Sequence, residues 1–161
     1  WQLWYEKEAS ELAKILPKET EIYHIGSTAI AGIWAKPIID ILVELDEKES
    51  LKDKAERLQD LHYIIMSSSG RRVSLNKGYT VRGFADKVFH LHLRYRNDKD
   101  EVYFRDYLNI DAEAAKEYEK LKLSLCQLFE HARDGYTQAK TEFVKKYTQI
   151  AKNYFNVNNS K

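Results

Sequence analysis

The chain has 161 residues, 43% of them hydrophobic and only two of them proline, which suits one folded domain with its own core rather than a disordered segment. Lys and Arg number 26 against 25 Asp and Glu, so the formal charge of +1 provides no global field toward nucleic acid or an anionic membrane. One cysteine excludes an intramolecular disulfide framework, and no apolar run approaches the length of a membrane span, so a cytoplasmic chain with neither nucleic acid nor membrane as partner is expected.

Tyr5, Ala9, Leu12 and Leu16 recur at helical spacing, and Pro17 ends that pattern. Residues 21–25 read as a short strand. Gly26-Ser27 then turns into a small-residue segment, 28–35, expected to form one or two helical turns before Pro37 marks a boundary. In residues 38–45 the odd positions Ile39, Ile41, Val43 and Leu45 are apolar, while Asp40 and Glu44 share the other face of a predicted strand. Leu51, Ala55, Leu58 and Leu61 mark a helix, and 62–66 a strand, before Ser67-Ser68-Ser69-Gly70 reads as a loop.

Arg71, Arg72, Lys77, Arg82 and Lys87 crowd the next stretch, where 73–75 and 79–81 are predicted as short strands on either side of a Lys77-Gly78 turn. Residues 88–96 alternate plainly: Phe89, Leu91, Leu93 and Tyr95 form one face, and His90, His92, Arg94 and Arg96 the other. A short helix over 102–108 follows. Asp111 can cap the next helix, which carries Ala114, Tyr118, Leu121, Leu125 and Leu128 on one stripe. The last helix has Asp134 and Gly135 at its entrance, a stripe of Tyr136, Phe143, Tyr147, Ile150 and Tyr154, and a fraying polar end. The expected class is α+β, a mixed sheet backed by helices with a helical C-terminal third, as a single domain over 1–156 with a tail at 157–161.

Several of these residues carry chemistry. Gly26 permits close approach of a phosphate, Ser27 can donate to it, and a helix opening at Thr28 would add its positive end; the same residues also suit a plain strand-to-helix turn. Asp40 sits between two apolar residues, where a carboxylate needs a metal ion or a base such as Lys36 or Arg94. Glu44 lies roughly 13 Å farther along, too far to share one ion. His90 and His92 share a face with Cα atoms roughly 7 Å apart. With Asp40 and His24 they could form a Zn²⁺ or Mn²⁺ site, and they equally suit phosphate binding or acid–base work. Lys140 lies on the apolar side of its helix, where a lysine is normally avoided. His62, His131 and Cys126 have no such context.

These residues resemble the GrpB family, whose members resemble minimal nucleotidyltransferase domains. The run from His24 to Val43 is similar to the family signature, His90-Leu91-His92-Leu93 to its HLHL strand, Phe104-Arg105-Asp106-Tyr107-Leu108 to its FRDYL helix, and Tyr136, Lys140 and Phe143 to its YxxxKxxF helix. Trp1 resembles a tryptophan near the family's start, which implies roughly ten residues upstream, in keeping with Trp1 not being an initiator methionine. Ala31 stands where the family usually has proline, a change expected to loosen the turn.

The resemblance implies a nucleotidyltransferase-like fold without an established reaction. One expectation is a site for a nucleotide or other phosphorylated small molecule with Mg²⁺, Mn²⁺ or Zn²⁺, able to transfer a nucleotidyl group. In it Gly26, Ser27, Thr28, Lys36, Arg94 and Lys140 would hold phosphates, Asp40, His24, His90 and His92 the metal, and Asp40 and His92 would be catalytic. Leu42, where a second metal-binding acid is expected, argues against turnover. The other expectation is a noncatalytic module: some relatives are fused behind dephospho-CoA kinase, where the domain aids folding or stability, so a CoA-pathway kinase is an expected partner.

Overall fold

The computed structural model of the chain describes residues 1–81, 83–128 and 133–159, with side chains through residue 125 and again from 140 to 156. Arg82 and His131 lie outside the described residues, and so do the side chains of Cys126, Leu128, Asp134 and Tyr136. Two units form: Trp1–Ala29 with Ala35–Lys99, and Ile30–Trp34 with Asp100–Lys161.

The first unit begins with helix α1 (Gln2–Ile15), which stops at Leu16 because Pro17 cannot continue it. Strands β1 (Glu21–Ile25) and β2 (Ile38–Leu45) have the bounds expected from the sequence. Helix α2 (Leu51–Arg57) is capped by the Ser50 hydroxyl, which accepts from the Asp53 amide, and tightens into a 3₁₀ turn at Leu58–Leu61. Strands β3 (Ile64–Ser68), β4 (Arg72–Thr80) and β5 (Gly83–Tyr95) complete a sheet of order β1-β2-β5-β4-β3. Only the β2–β5 pair is parallel, so the sheet is mixed. One of its faces packs under α1 and α2, where Leu12, Ile39, Ile41, Val43, Leu58, Leu75, Leu91 and Leu93 make the core.

Three expectations change here. His62 takes a left-handed φ of 66° as the cap of the 3₁₀ turn, so β3 starts two residues later and uses Ser67 and Ser68, predicted as loop. Lys77-Gly78 is not a turn, since β4 runs through it to Thr80. Gly78 instead marks an irregularity: Lys77 pairs with Phe89 but Tyr79 with Phe84, so residues 85–88 of β5 stand against Gly78 alone. Gly78 has φ +91°, and a Cβ there would meet the Lys87 carbonyl oxygen at 2.2 Å. Finally, the segment after Gly26 forms only a three-residue 3₁₀ turn, Ser27–Ala29, in place of the helix expected over 28–35.

In the second unit, helices α3 (Asp100–Ile110), α4 (Ala112–Leu128) and α5 (Arg133–Asn159) pack around Phe104, Leu108, Tyr118 and Tyr147, with Ile30 among them. Asp111 caps α4 as predicted, accepting from the Glu113 and Ala114 amides at 3.1 and 3.0 Å. Segment Ile30–Trp34 is clamped by α4: Lys116 donates to the Gly32 carbonyl, Glu119 accepts from the Trp34 amide, and Lys122 donates to the Trp34 carbonyl. The Ala31 amide donates to Asn109 Oδ1 at 2.8 Å, a bond proline could not make, so this departure adds a tether where a looser turn was expected. Tyr154, at the end of the stripe, is exposed but still meets the Tyr107 ring edge-on at 5.8 Å, and α5 continues to Asn159, past the start of the expected tail. Among the described residues, no helix is long and apolar enough to cross a membrane.

Candidate functional site

The even-numbered face of β2 and its neighbours carries polar rows set by register. Asp40 stands beside His90, which stands beside Asn76; Leu42 is followed by His92 and Ser74, and Glu44 by Arg94 and Arg72. The first row holds the chemistry. Asp40 Oδ1 lies 3.2 Å from His90 Nδ1, and the Tyr79 hydroxyl lies 3.0 Å from His90 Nε2. A neutral ring that gives its Nδ1 proton to the carboxylate must accept at Nε2, so Tyr79 donates. By simple alternation Tyr79 would share the face of Lys77. The register shift at Gly78 brings its hydroxyl to His90 instead.

Gly26 closes this row. It has φ +72°, and a Cβ there would stand 2.3 Å from Asp40 Oδ2, so a glycine is required for the carboxylate to lie against the turn. Oδ2 and the Ser27 hydroxyl have no hydrogen-bond partner among the described residues. The side chains of Asp40 and His90 are 28% and 19% exposed, so the row is open to a ligand.

Other expected members are placed elsewhere. His24 pairs in register with Ile41 and stacks on Tyr5 of α1 at 4.8 Å, which puts it on the helix-covered face, away from Asp40. Thr28 is buried; its hydroxyl donates to the Ile38 carbonyl and so accepts from His24 Nε2 at 3.0 Å. It ties the turn to β2 rather than facing a phosphate. His92 lies beside Leu42, with its Nδ1 3.5 Å from Ser74 Oγ, so the imidazole brought to Asp40 is that of His90.

Arg94 belongs to the third row, roughly 13 Å along the strand from Asp40, and bonds Asp98 at 3.4 Å, while Arg72 grips the same carboxylate with two bonds of 2.7 Å. Burial pushes the Asp98 carboxyl up, but these two guanidinium groups prevail and hold it below its ordinary range. Next to them Glu44, 2% exposed, accepts from the Asn97 amide and pairs with Lys99 at 3.1 Å. Lys36 is exposed and its side chain has no partner among the described residues. Lys140, in the second unit, lies 5.4 Å above the Tyr118 ring.

A metal cage does not fit this donor set. Among the described residues no three His, Cys, Asp or Glu side chains converge on one point, and both nitrogens of His90 are already bonded. Tyr79 and Asn76 have no counterpart in the expected site, because their place follows from the course of β4 through Gly78.

The sequence profile described as GrpB protein matches residues 1–150. The chain is 38% identical to the glutamate-rich protein GrpB of Alkalihalophilus pseudofirmus, over 89% of this chain and 86% of that one. It is 29% identical to the UPF0157 protein YqkA of Bacillus subtilis, over 96% of this chain and 45% of that longer one. The crystal structure of the conserved protein GrpB from Enterococcus faecalis superposes with a TM-score of 0.81 at 30% identity, covering 96% and 94% of the two chains. The Cid1 poly(U) polymerase with MgGTP bound superposes at TM-score 0.52 and 12% identity, covering 76% of this chain and 41% of that one, a likeness of fold alone. The fold is therefore nucleotidyltransferase-like.

Proposed function

This chain belongs to the GrpB family, and on that premise we propose that it binds a nucleotide or another phosphorylated small molecule at the Gly26–Ser27 turn, beside Asp40. The observation that supports this reading most is the fit between Gly26 and Asp40. The missing side chain at Gly26 lets a carboxylate held by His90 lie against the turn, next to a Ser27 hydroxyl that has no partner among the described residues. Lys36, four residues before Asp40 and without a side-chain partner among the described residues, supplies positive charge for phosphate oxygens.

Asp40 would repel a bare phosphate, and a divalent cation offsets that repulsion. Such an ion would travel on the phosphates and keep its waters, as Mg²⁺ commonly does, since the described residues offer it no cage. Isothermal titration of the protein with each nucleoside triphosphate, in Mg²⁺ and in chelator, tests this reading. Saturable, cation-dependent heat is the expected result, and the absence of binding to every triphosphate would remove it.

A second reading, binding without turnover, is favoured by Leu42. It is fully buried at the position of an expected second acid, and a two-ion transfer normally needs both carboxylates. In that case the domain senses a ligand or supports a partner such as a CoA-pathway kinase.

A further inference from the structure

We propose that Tyr79 is a self-modification site, at which this chain transfers a nucleotidyl group from a bound nucleoside triphosphate onto its own phenol. The inference rests on the nucleotide reading above and goes beyond it by naming the acceptor. Its basis is the ordered chain Tyr79–His90–Asp40. A hydroxyl lies 3.0 Å from an imidazole nitrogen whose other nitrogen is held by a carboxylate at 3.2 Å. That is the arrangement of an activated nucleophile, with Tyr79 as nucleophile, His90 as base, and Asp40 positioning His90.

Two further observations favour the chain as its own acceptor. The Tyr79 hydroxyl already occupies His90 Nε2, the place a separate acceptor hydroxyl would have to take. Tyr79 also lies beside an exposed end of the sheet: Thr80, Gly83 and Ala85 are exposed, and Phe84, 72% exposed, meets the Tyr79 ring edge-on at 5.1 Å. A ring so placed can carry a bulky group without being drawn into the core. A self-transfer happens once per chain, so the slow transfer expected where Leu42 replaces a second acid is enough to complete it.

In the step, Tyr79 Oη attacks the α-phosphorus of the triphosphate and its proton passes to His90 Nε2. The bond from the α-phosphorus to the bridging oxygen breaks, and inorganic pyrophosphate leaves. The product is a tyrosyl phosphodiester, and nothing is oxidised or reduced.

The test incubates the purified chain with the Mg²⁺ salts of ATP, GTP, CTP and UTP, and follows it by intact-mass spectrometry, peptide mapping and pyrophosphate release, with binding measured in parallel on the unmodified protein. One acid-stable nucleoside monophosphate adduct per chain, mapped to Tyr79, is expected with at least one triphosphate. Tyr79→Phe keeps the ring against Phe84 and should form no adduct while its circular dichroism and unfolding midpoint match the wild type. His90→Gln should slow adduct formation by about 100-fold or more. Triphosphate binding without an adduct would overturn the proposal and leave the nucleotide reading standing, whereas no binding would end both. An adduct on any other residue, including an acid-labile one on His90, would also overturn it.

Discussion

Gly26 and Asp40 are fitted to each other: the carboxylate Oδ2 lies where a side chain at residue 26 would begin, 2.3 Å from an ideal Cβ. Gly26→Ala therefore meets two penalties, a left-handed φ of +72° and a collision with Asp40. The variant should lose about 1–3 kcal/mol in urea unfolding. Asp40→Ala removes Oδ2 and Cγ, so in the double variant the two costs should add to less than their sum by at least about 0.5 kcal/mol.

Thr28 holds the turn in place. Its hydroxyl donates to the Ile38 carbonyl at 3.1 Å and receives His24 Nε2 at 3.0 Å, all within a buried setting. Thr28→Val keeps the shape but removes both of these hydrogen bonds, and should cost about 1–3 kcal/mol, whereas Thr28→Ser should cost less. Equal costs for the two variants, measured by urea unfolding, would show that the hydroxyl is not what matters.

On the helix-covered face, Glu8 of α1 is buried and takes both Lys77 at 2.7 Å and the Tyr63 hydroxyl at 3.0 Å. Burial first, and then the Glu8 charge, push the Tyr63 phenol far up, so it stays a donor. Glu8→Ala leaves Lys77, one-quarter exposed, without its counter-charge and should cost about 3 kcal/mol. Adding Lys77→Met should recover part of that loss; no recovery would mean that packing rather than charge sets the cost.

Asp98 gives the stability a dependence on acid. Its folded-state carboxyl is held below the ordinary value of about 3.9, so it contributes stability above that pH which is lost as the pH falls through the lower, folded value. Urea unfolding from pH 5 down to pH 2 should therefore show a decline, and Asp98→Asn should make that decline shallower. Identical slopes in the two proteins would show that Asp98 is not its source.

Strand β2 was legible because one face is uniformly apolar and its period of two leaves no other assignment for Ile39, Ile41, Val43 and Leu45. The same rule showed that Asp40 and His90 point away from the core. What it could not show was partnership. Whether Asp40 meets His90 or His92 depends on the stagger of two parallel strands joined by the whole of residues 46–82, and that stagger is a tertiary outcome. His24 was misplaced because a five-residue strand that mixes polar and apolar residues does not declare its buried face, and stacking on Tyr5 decided it. Tyr79 was hidden by reading Lys77-Gly78 as a turn. A glycine inside a strand can equally mark a bulge, and there it switches the face of the residue that follows. Arg94, read as a phosphate ligand, is drawn to Asp98, which lies just beyond the end of β5.

The most direct test of the account is thermal unfolding of wild type and Asp40→Asn against ATP, GTP, CTP and UTP, each with Mg²⁺, Mn²⁺ or Zn²⁺ and with a chelator. A triphosphate at a hundred times its dissociation constant should stabilise the wild type by about 2.7 kcal/mol, and only with the cation. Asp40→Asn should remove that shift while losing less than about 1 kcal/mol of its own stability. An equal shift in both proteins would place the ligand elsewhere; no shift in wild type, together with a larger loss of stability in Asp40→Asn, would make Asp40 a structural partner of His90 and contradict the account.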